Sequence, residues 1–188
     1  MNDNLFEEII GRRVLKWDAV WRVINWLADP TKGHGLNHGF RDQFVGFCLN
    51  GRRDVAELRV EYYLGKDANN RSRHPDMAIA SPSLDAPQCI ALIDDLASIS
   101  PNNSRKIDNL LRYAQICSDN HQSAERSIVV ITDTNDIARF DRLIGKFSNL
   151  DHTRLALLPL QDIGSWLSKC NVHGEPRVRE FSEWCVSL

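Results

Sequence analysis

The chain has 188 residues, of which 43% are hydrophobic and 26% charged, and a formal net charge of −2. That length fills one well-buried core without requiring a second, and the composition is that of a globular domain rather than a disordered or fibrous chain. Near-neutral charge argues against a general nucleic-acid coat but leaves room for a local groove, and no apolar run is long enough to cross a membrane.

Charge is nevertheless uneven. Residues 1–75 carry 12 Lys and Arg against 10 Asp and Glu, whereas residues 76–188 carry 11 against 15. The one local excess of base is Arg59, Lys66, Arg71 and Arg73. A solvated loop is the plainer reading of it and a phosphate contact the sharper one. The N-terminal MNDNLFEE is acidic and lacks the apolar core of a signal peptide. The five cysteines (Cys48, Cys89, Cys117, Cys170 and Cys185) are scattered with no C-x-x-C pair. They read as buried free thiols in a reducing compartment, so a cytoplasmic protein is expected.

In chain order, residues 12–28 place Trp17, Val20, Trp21, Ile24, Leu27 and Ala28 at helical spacing, with Arg13, Lys16, Arg22 and Asn25 opposite. Asp29-Pro30 and the glycines of TKGHG end this helix. A second helix is predicted over about 38–49, with Phe40, Phe44, Phe47 and Cys48 on one face, stopping at Asn50-Gly51. Residues 55–64 alternate strictly, Leu58, Val60, Tyr62 and Leu64 against Glu57, Arg59, Glu61 and Tyr63, which predicts a half-buried strand. A polar turn over 65–72 leads to two short strands, 77–80 and 89–93. Ser100-Pro101 then starts a helix to Cys117 with Ile107, Leu110, Leu111, Ala114 and Cys117 inward. A buried strand at 127–132 follows, then a helix capped by Asp133-Thr134 and carrying Ile137, Phe140, Leu143, Ile144 and Phe147. A strand at 154–158 leads through Pro159 into a helix with Ile163 and Leu167, and Val178, Phe181, Cys185 and Leu188 share a face of the last helix. An antiparallel meander followed by βαβ crossovers predicts a single α/β domain, a mixed sheet with helices on both faces.

The chemistry is expected in the hairpin Arg73–Ser98. Asp76 begins its first strand and Asp94 ends its second. A register in which Ala80 faces Ile90 also sets Asp76 opposite Asp94, roughly 4.5–5.5 Å apart at Cα. Two carboxylates at that separation suit one hard divalent ion, Mg²⁺ or Mn²⁺, with the backbone carbonyl of Asp95 as a third ligand. The alternative is that both are solvent-exposed turn residues.

Pro75-Asp76, an apolar strand and then Asp94 resemble the motif of the PD-(D/E)XK nuclease superfamily. Asn25-Trp26-Leu27-Ala28-Asp29-Pro30 through His34-Gly35-Leu36 and Phe40 is similar to the opening of one bacterial branch. Asn109-Leu110-Leu111-Arg112-Tyr113 resembles that branch's QLxRY helix, and Leu157-Leu158-Pro159-Leu160 with Ile163 and Trp166-Leu167 its last strand and helix. The resemblance spans about residues 14–168 and implies a restriction-endonuclease-like mixed sheet. It further implies metal-dependent DNA cleavage or a descendant of it, with Asp76 and Asp94 as metal-binding acids. Asp18 or Glu61 would be the extra upstream acid, and Asn109 stands where the family has Gln. With Arg71 and Arg73, Asn109 is a candidate nucleic-acid contact.

The departure is at the cation. Two residues after the second acid the family has Lys, and here stands Leu96. Leucine cannot hold a water or offset developing charge, a loss worth a few kcal/mol of barrier. Lys106 or Arg105, at the start of the next helix, would have to supply it. Two functions are therefore expected to compete: a degenerate nuclease-like fold that binds a nucleic-acid or protein partner, and an active Mg²⁺-dependent deoxyribonuclease using Asp76, Asp94 and Lys106 or Arg105. His34 and His38 lie in a glycine-rich loop and read as structural. His74 reads as an exposed turn residue or a phosphate contact, and Trp17, Trp21 and Trp26 as core packing rather than base stacking.

Overall fold

The computed structural model describes residues 5–6, 17–32, 39–52, 56–95, 104–132, 151–169 and 176–188. The fold is α/β, and its described elements follow the hydrophobic periodicity of the sequence. Helix α1 spans Trp17–Ala28 and buries Val20, Trp21, Ile24, Leu27 and Ala28. A 3-10 turn, Pro30–Lys32, follows, where the Asp29 carboxylate accepts the Thr31 N–H at 2.9 Å. Helix α2 is Gly39–Cys48. It ends where the sequence predicts: Asn50 takes φ 54° and Gly51 N–H returns to the Gly46 carbonyl at 2.6 Å, the left-handed closure that Asn and Gly permit.

The strands are β1 (Glu57–Val60), β2 (Gly65–Lys66), β3 (Ser72–Arg73), β4 (Met77–Ser81), β5 (Cys89–Asp95), β6 (Glu125–Thr132) and β7 (Thr153–Pro159). Helix α3 is Ser104–Asn120, α4 Leu160–Lys169 and α5 Pro176–Val186. The main sheet has the order β1-β4-β5-β6-β7, and β2-β3 form a separate ribbon. β1, β4 and β5 are an antiparallel meander, and β5 pairs with β6 in parallel, so the sheet is mixed. In β4–β5, Ala80 faces Ile90 and Met77 faces Ile93, the register expected from the sequence.

Period-2 alternation assigns the faces of these strands. Ala78, Ala80, Ile90, Leu92, Ile128 and Val130 pack with Leu110, Tyr113, Ala114 and Cys117 of α3 in one cluster. Met77, Ile79, Ile93, Val129 and Ile131, on the other face, are also fully buried. The buried Arg126 closes the far end of this layer. Its guanidinium donates to the carbonyls of His121 (2.9 Å), Gln122 (3.2 Å) and Asp151 (2.5 Å) and to Thr153 Oγ1 (3.2 Å). It thus satisfies the orphan carbonyls after α3.

Three expectations need correction. The strand over 55–64 stops at Val60, because Glu61 takes φ 49° and turns its N–H to the Asp76 carbonyl at 2.9 Å. Val60 is consequently exposed. The turn over 65–72 contains the β2–β3 ribbon, in which Gly65 faces Arg73. Helix α3 continues past Cys117 to Asn120, where Asn120 Nδ2 caps the Leu64 carbonyl at 3.2 Å. The cap predicted at Ser100-Pro101, the helix after Asp133-Thr134 and Cys170 lie outside the described residues.

Cys48, Cys89, Cys117 and Cys185 are free and buried. Burial pushes the Cys117 thiol up to about 12 and moves the Cys48 and Cys185 thiols in the same direction, which makes them poor nucleophiles. Among the described residues no helix is long and apolar enough to cross a membrane.

Two compact units emerge, one from residues 1–44, 132–134 and 158–188 and the other from 45–131 and 135–157. In the first, α4 and α5 pack so closely that a Cβ at Gly164 would sit 2.6 Å from Cys185 Cβ and 2.8 Å from the Ser182 carbonyl. Ser182 Oγ donates to the Gly164 carbonyl at 2.7 Å across the same contact. Glycine is required there by space. Gly164→Ala is therefore expected to lower the unfolding free energy by about 1–3 kcal/mol, the cost of an overpacked interior, measured by urea denaturation. An unchanged midpoint would rule out the close helix contact.

Candidate functional site

Asp76 and Asp94 flank the end of the β4–β5 ladder, one step beyond the Met77–Ile93 pair. Continuing that register sets them opposite each other, on the face that carries Ala78 and Leu92 and packs against α3. The site thus occupies the carboxyl end of β5, which runs parallel to β6, the end at which α/β sheets generally bind ligands. Both acids are half-buried.

Tyr113 of α3 joins them. Its ring is buried and its hydroxyl donates to the His74 carbonyl at 3.1 Å. Burial, then the negative charges of Asp94 and Asp76, then a hydrogen bond to Asp94 hold this phenol well above its ordinary range, against the opposing charge of Arg73. Tyr113 therefore stays protonated, with its single hydroxyl proton shared between the His74 carbonyl and Asp94. The sequence reading gave it no role of its own.

A stripe along α3 fixes the approach to the site. Asn109, Arg112, Tyr113, Ile116 and Asn120 recur at helical spacing and share a face. Asn109 Oδ1 accepts from Arg73 Nη1 at 2.9 Å, and Arg112 Nη1 donates to Asp67 Oδ2 at 3.0 Å. Ile116 Cγ2 would lie 3.3 Å from a Cβ on Gly65, and Asn120 holds Leu64. The helix grips the chain from Leu64 to His74, and that chain delivers Asp76.

Asp67 is the anchor of this grip. It accepts the N–H groups of Asn69 (2.9 Å) and Arg71 (3.0 Å) and pairs with Arg73 (2.5 Å) and Arg112. Its side chain is 4% exposed. The Arg71 amide and the Arg73 guanidinium, with the Asn69 amide, outweigh desolvation and hold its carboxyl far below the usual carboxylate range. The sequence marks this stretch only as a polar turn; its Asx-type contacts, from Asn69 and Arg71 N–H to Asp67, fit the turn chemistry of Asp and Asn.

Other predicted site residues are placed as follows. Arg73 is committed to Asp67 and Asn109, so Arg73 and Asn109 bond each other instead of presenting two open contacts. Arg71 is exposed on the ribbon turn. Asp95 ends β5 in register with Ile131, but its side chain, like those of Arg105 and Lys106, lies outside the described set, as do Leu96, His34 and His38. Of the two upstream acids, Glu61 has its main chain bonded to Asp76, whereas Asp18 is exposed on α1. Trp21 is buried and Trp17 and Trp26 are half-buried on α1.

Among the described residues no group of three or more His, Cys, Asp or Glu side chains is arranged to hold a metal ion. Two facing carboxylates still fit the chemistry of Mg²⁺, which keeps most of its waters and takes one or two carboxylates. No family model, no curated protein and no solved structure matches the chain.

Because the Asp67 carboxyl is held low, its contribution to stability is complete above the unfolded value near 3.9 and is lost as pH falls toward the folded value. Urea unfolding from pH 7 downward should show stability declining below about pH 4, with Asp67→Asn flattening that limb. An equally steep acid limb in Asp67→Asn would refute the assignment.

Proposed function

We propose that the chain is a divergent PD-(D/E)XK nuclease-like protein with a degenerate active site, which binds a nucleic-acid or protein partner rather than cutting. One observation carries this reading. The register of β4 and β5 ends at Met77–Ile93, and one further step at the carboxyl end of β5 would set Asp76 opposite Asp94, while position 96, two residues beyond Asp94, is Leu.

Phosphodiester hydrolysis needs a charge-stabilised phosphate and a positioned water. Asp76 and Asp94 are the residues that would hold Mg²⁺ or Mn²⁺, and the ion would supply charge stabilisation and an acidified water. Tyr113 orients Asp94 by hydrogen bonding. What the sequence withholds is the cation two residues beyond Asp94, where Leu96 stands. Arg73, whose charge is felt at Tyr113, is tied to Asp67 and Asn109, and withdrawing it would leave the buried Asp67 carboxylate with Arg112 as its remaining counter-charge among the described residues.

The second reading, an active deoxyribonuclease with a displaced Lys106 or Arg105, is favoured by one feature. Both residues begin α3, and Lys106 precedes Tyr113 by seven residues, two turns of the same helix. Calorimetric titration with Mg²⁺ and Mn²⁺, together with incubation with supercoiled plasmid, separates the two. The expected result is metal binding that is lost in Asp76→Ala, with intact plasmid in either metal. Plasmid cleavage abolished by Asp76→Ala and by Lys106→Ala would establish the active enzyme instead. No metal signal together with intact plasmid at high protein concentration would sink the enzymatic reading.

A further inference from the structure

Tyr63 and His74 form a pair of exposed rings on the ribbon, with centroids 5.3 Å apart and planes inclined at 44°. Tyr63 is 53% exposed, and His74 is exposed as well. A single exposed aromatic is ordinary. Two exposed rings in contact, on a ribbon that also carries exposed cations, bury little apolar surface and so are not explained by core packing.

The seat is fixed from both sides. Tyr113 Oη donates to the carbonyl of His74 itself. Leu64, next to Tyr63, donates its N–H to the Arg73 carbonyl at 3.0 Å and accepts from Asn120. On the other flank the Glu61 N–H is bonded to the Asp76 carbonyl. The main chain beneath both rings is therefore bound before any ligand arrives, which lowers the ordering cost of binding. Lys66 and Arg71, at the turn of the same ribbon, are exposed and form no ion pair among the described residues.

We propose that the Tyr63–His74 pair is a stacking platform for an unpaired nucleobase, with Lys66 and Arg71 contacting the flanking phosphates, so that the ligand is single-stranded nucleic acid. Any base offers a π-face to such a platform, and the exposed cations of the same ribbon would supply the backbone attraction. A duplex hides its base faces in its own stack, so the platform selects for strandedness rather than sequence. The proposal rests on the nucleic-acid form of the function proposed above and requires no catalysis.

The test is fluorescence anisotropy with the full chain, a labelled oligo-dT of about 12 nucleotides and a duplex of the same length. Wild type should bind the single strand more tightly than the duplex. Tyr63→Ala should weaken the single strand by about 5- to 100-fold and leave duplex affinity unchanged, while Tyr63→Phe, which keeps the π-face, should stay within about threefold of wild type. Matched thermal melts hold the fold constant. Unchanged oligo-dT affinity in Tyr63→Ala, an equal loss for both ligands, or a Phe variant as weak as Ala would overturn the platform while leaving nucleic-acid binding standing. A wild-type chain that binds neither probe would overturn nucleic-acid binding itself, leaving a protein as the partner.

Discussion

The register between β4 and β5 is the constraint on which the rest depends. With Met77 facing Ile93 and Ser81 facing Cys89, each apolar side chain of the pair falls on a covered face. A slip of one residue would move every side chain of one strand to the opposite face. Both faces are buried here, so side-chain shape rather than polarity discriminates between registers. The small Ala78 and Ala80 sit beneath α3, and the larger Met77 and Ile79 lie on the other side. The same register is what brings two carboxylates together.

The acid pair would be poorly placed without the second device, the grip of α3 on the ribbon. Asp76 stands at the end of a polar excursion that cannot bury enough apolar surface to order itself. Asp67 supplies the order in its place. One carboxylate gathers two backbone N–H groups and two guanidinium groups, and the arginines are in turn fixed by α3 and Asn109. Burying so many charges is tolerable only because each is matched. The same network removes Arg73 from the reach of a substrate, so the architecture that positions the acids also withholds a cation from them.

Much of this was legible in the sequence. Helix α1, the end of α2 at Asn50-Gly51 and the strands of the hairpin followed from periodicity and turn chemistry, whereas the Ala80–Ile90 register is a supposition that the strand pairing matches. The misreadings share a cause. Alternation continues through Glu61 and predicts a strand there, yet Glu61 takes a left-handed conformation with its N–H on the Asp76 carbonyl, fifteen residues away. The roles of Arg126 and Tyr113 have no sequence signal because their partners, carbonyls after α3 for one and the His74 carbonyl and Asp94 for the other, are assembled only by the fold.

The sequence by itself determined the α/β class and the antiparallel meander with its parallel continuation. These depend on local periodicity and on pairing between neighbouring strands, which short-range pattern encodes. Tertiary structure alone decided which charges are available. Asp67, Arg73, Arg112 and Asn109 look like ordinary surface residues in the chain and become a closed network only when α3 crosses the ribbon. Tyr63 and His74 become a pair only because the ribbon folds back and turns both rings outward. Pairings between groups far apart in sequence carry no local signature, because their free energy exists only once desolvation and geometry have been fixed by the rest of the fold.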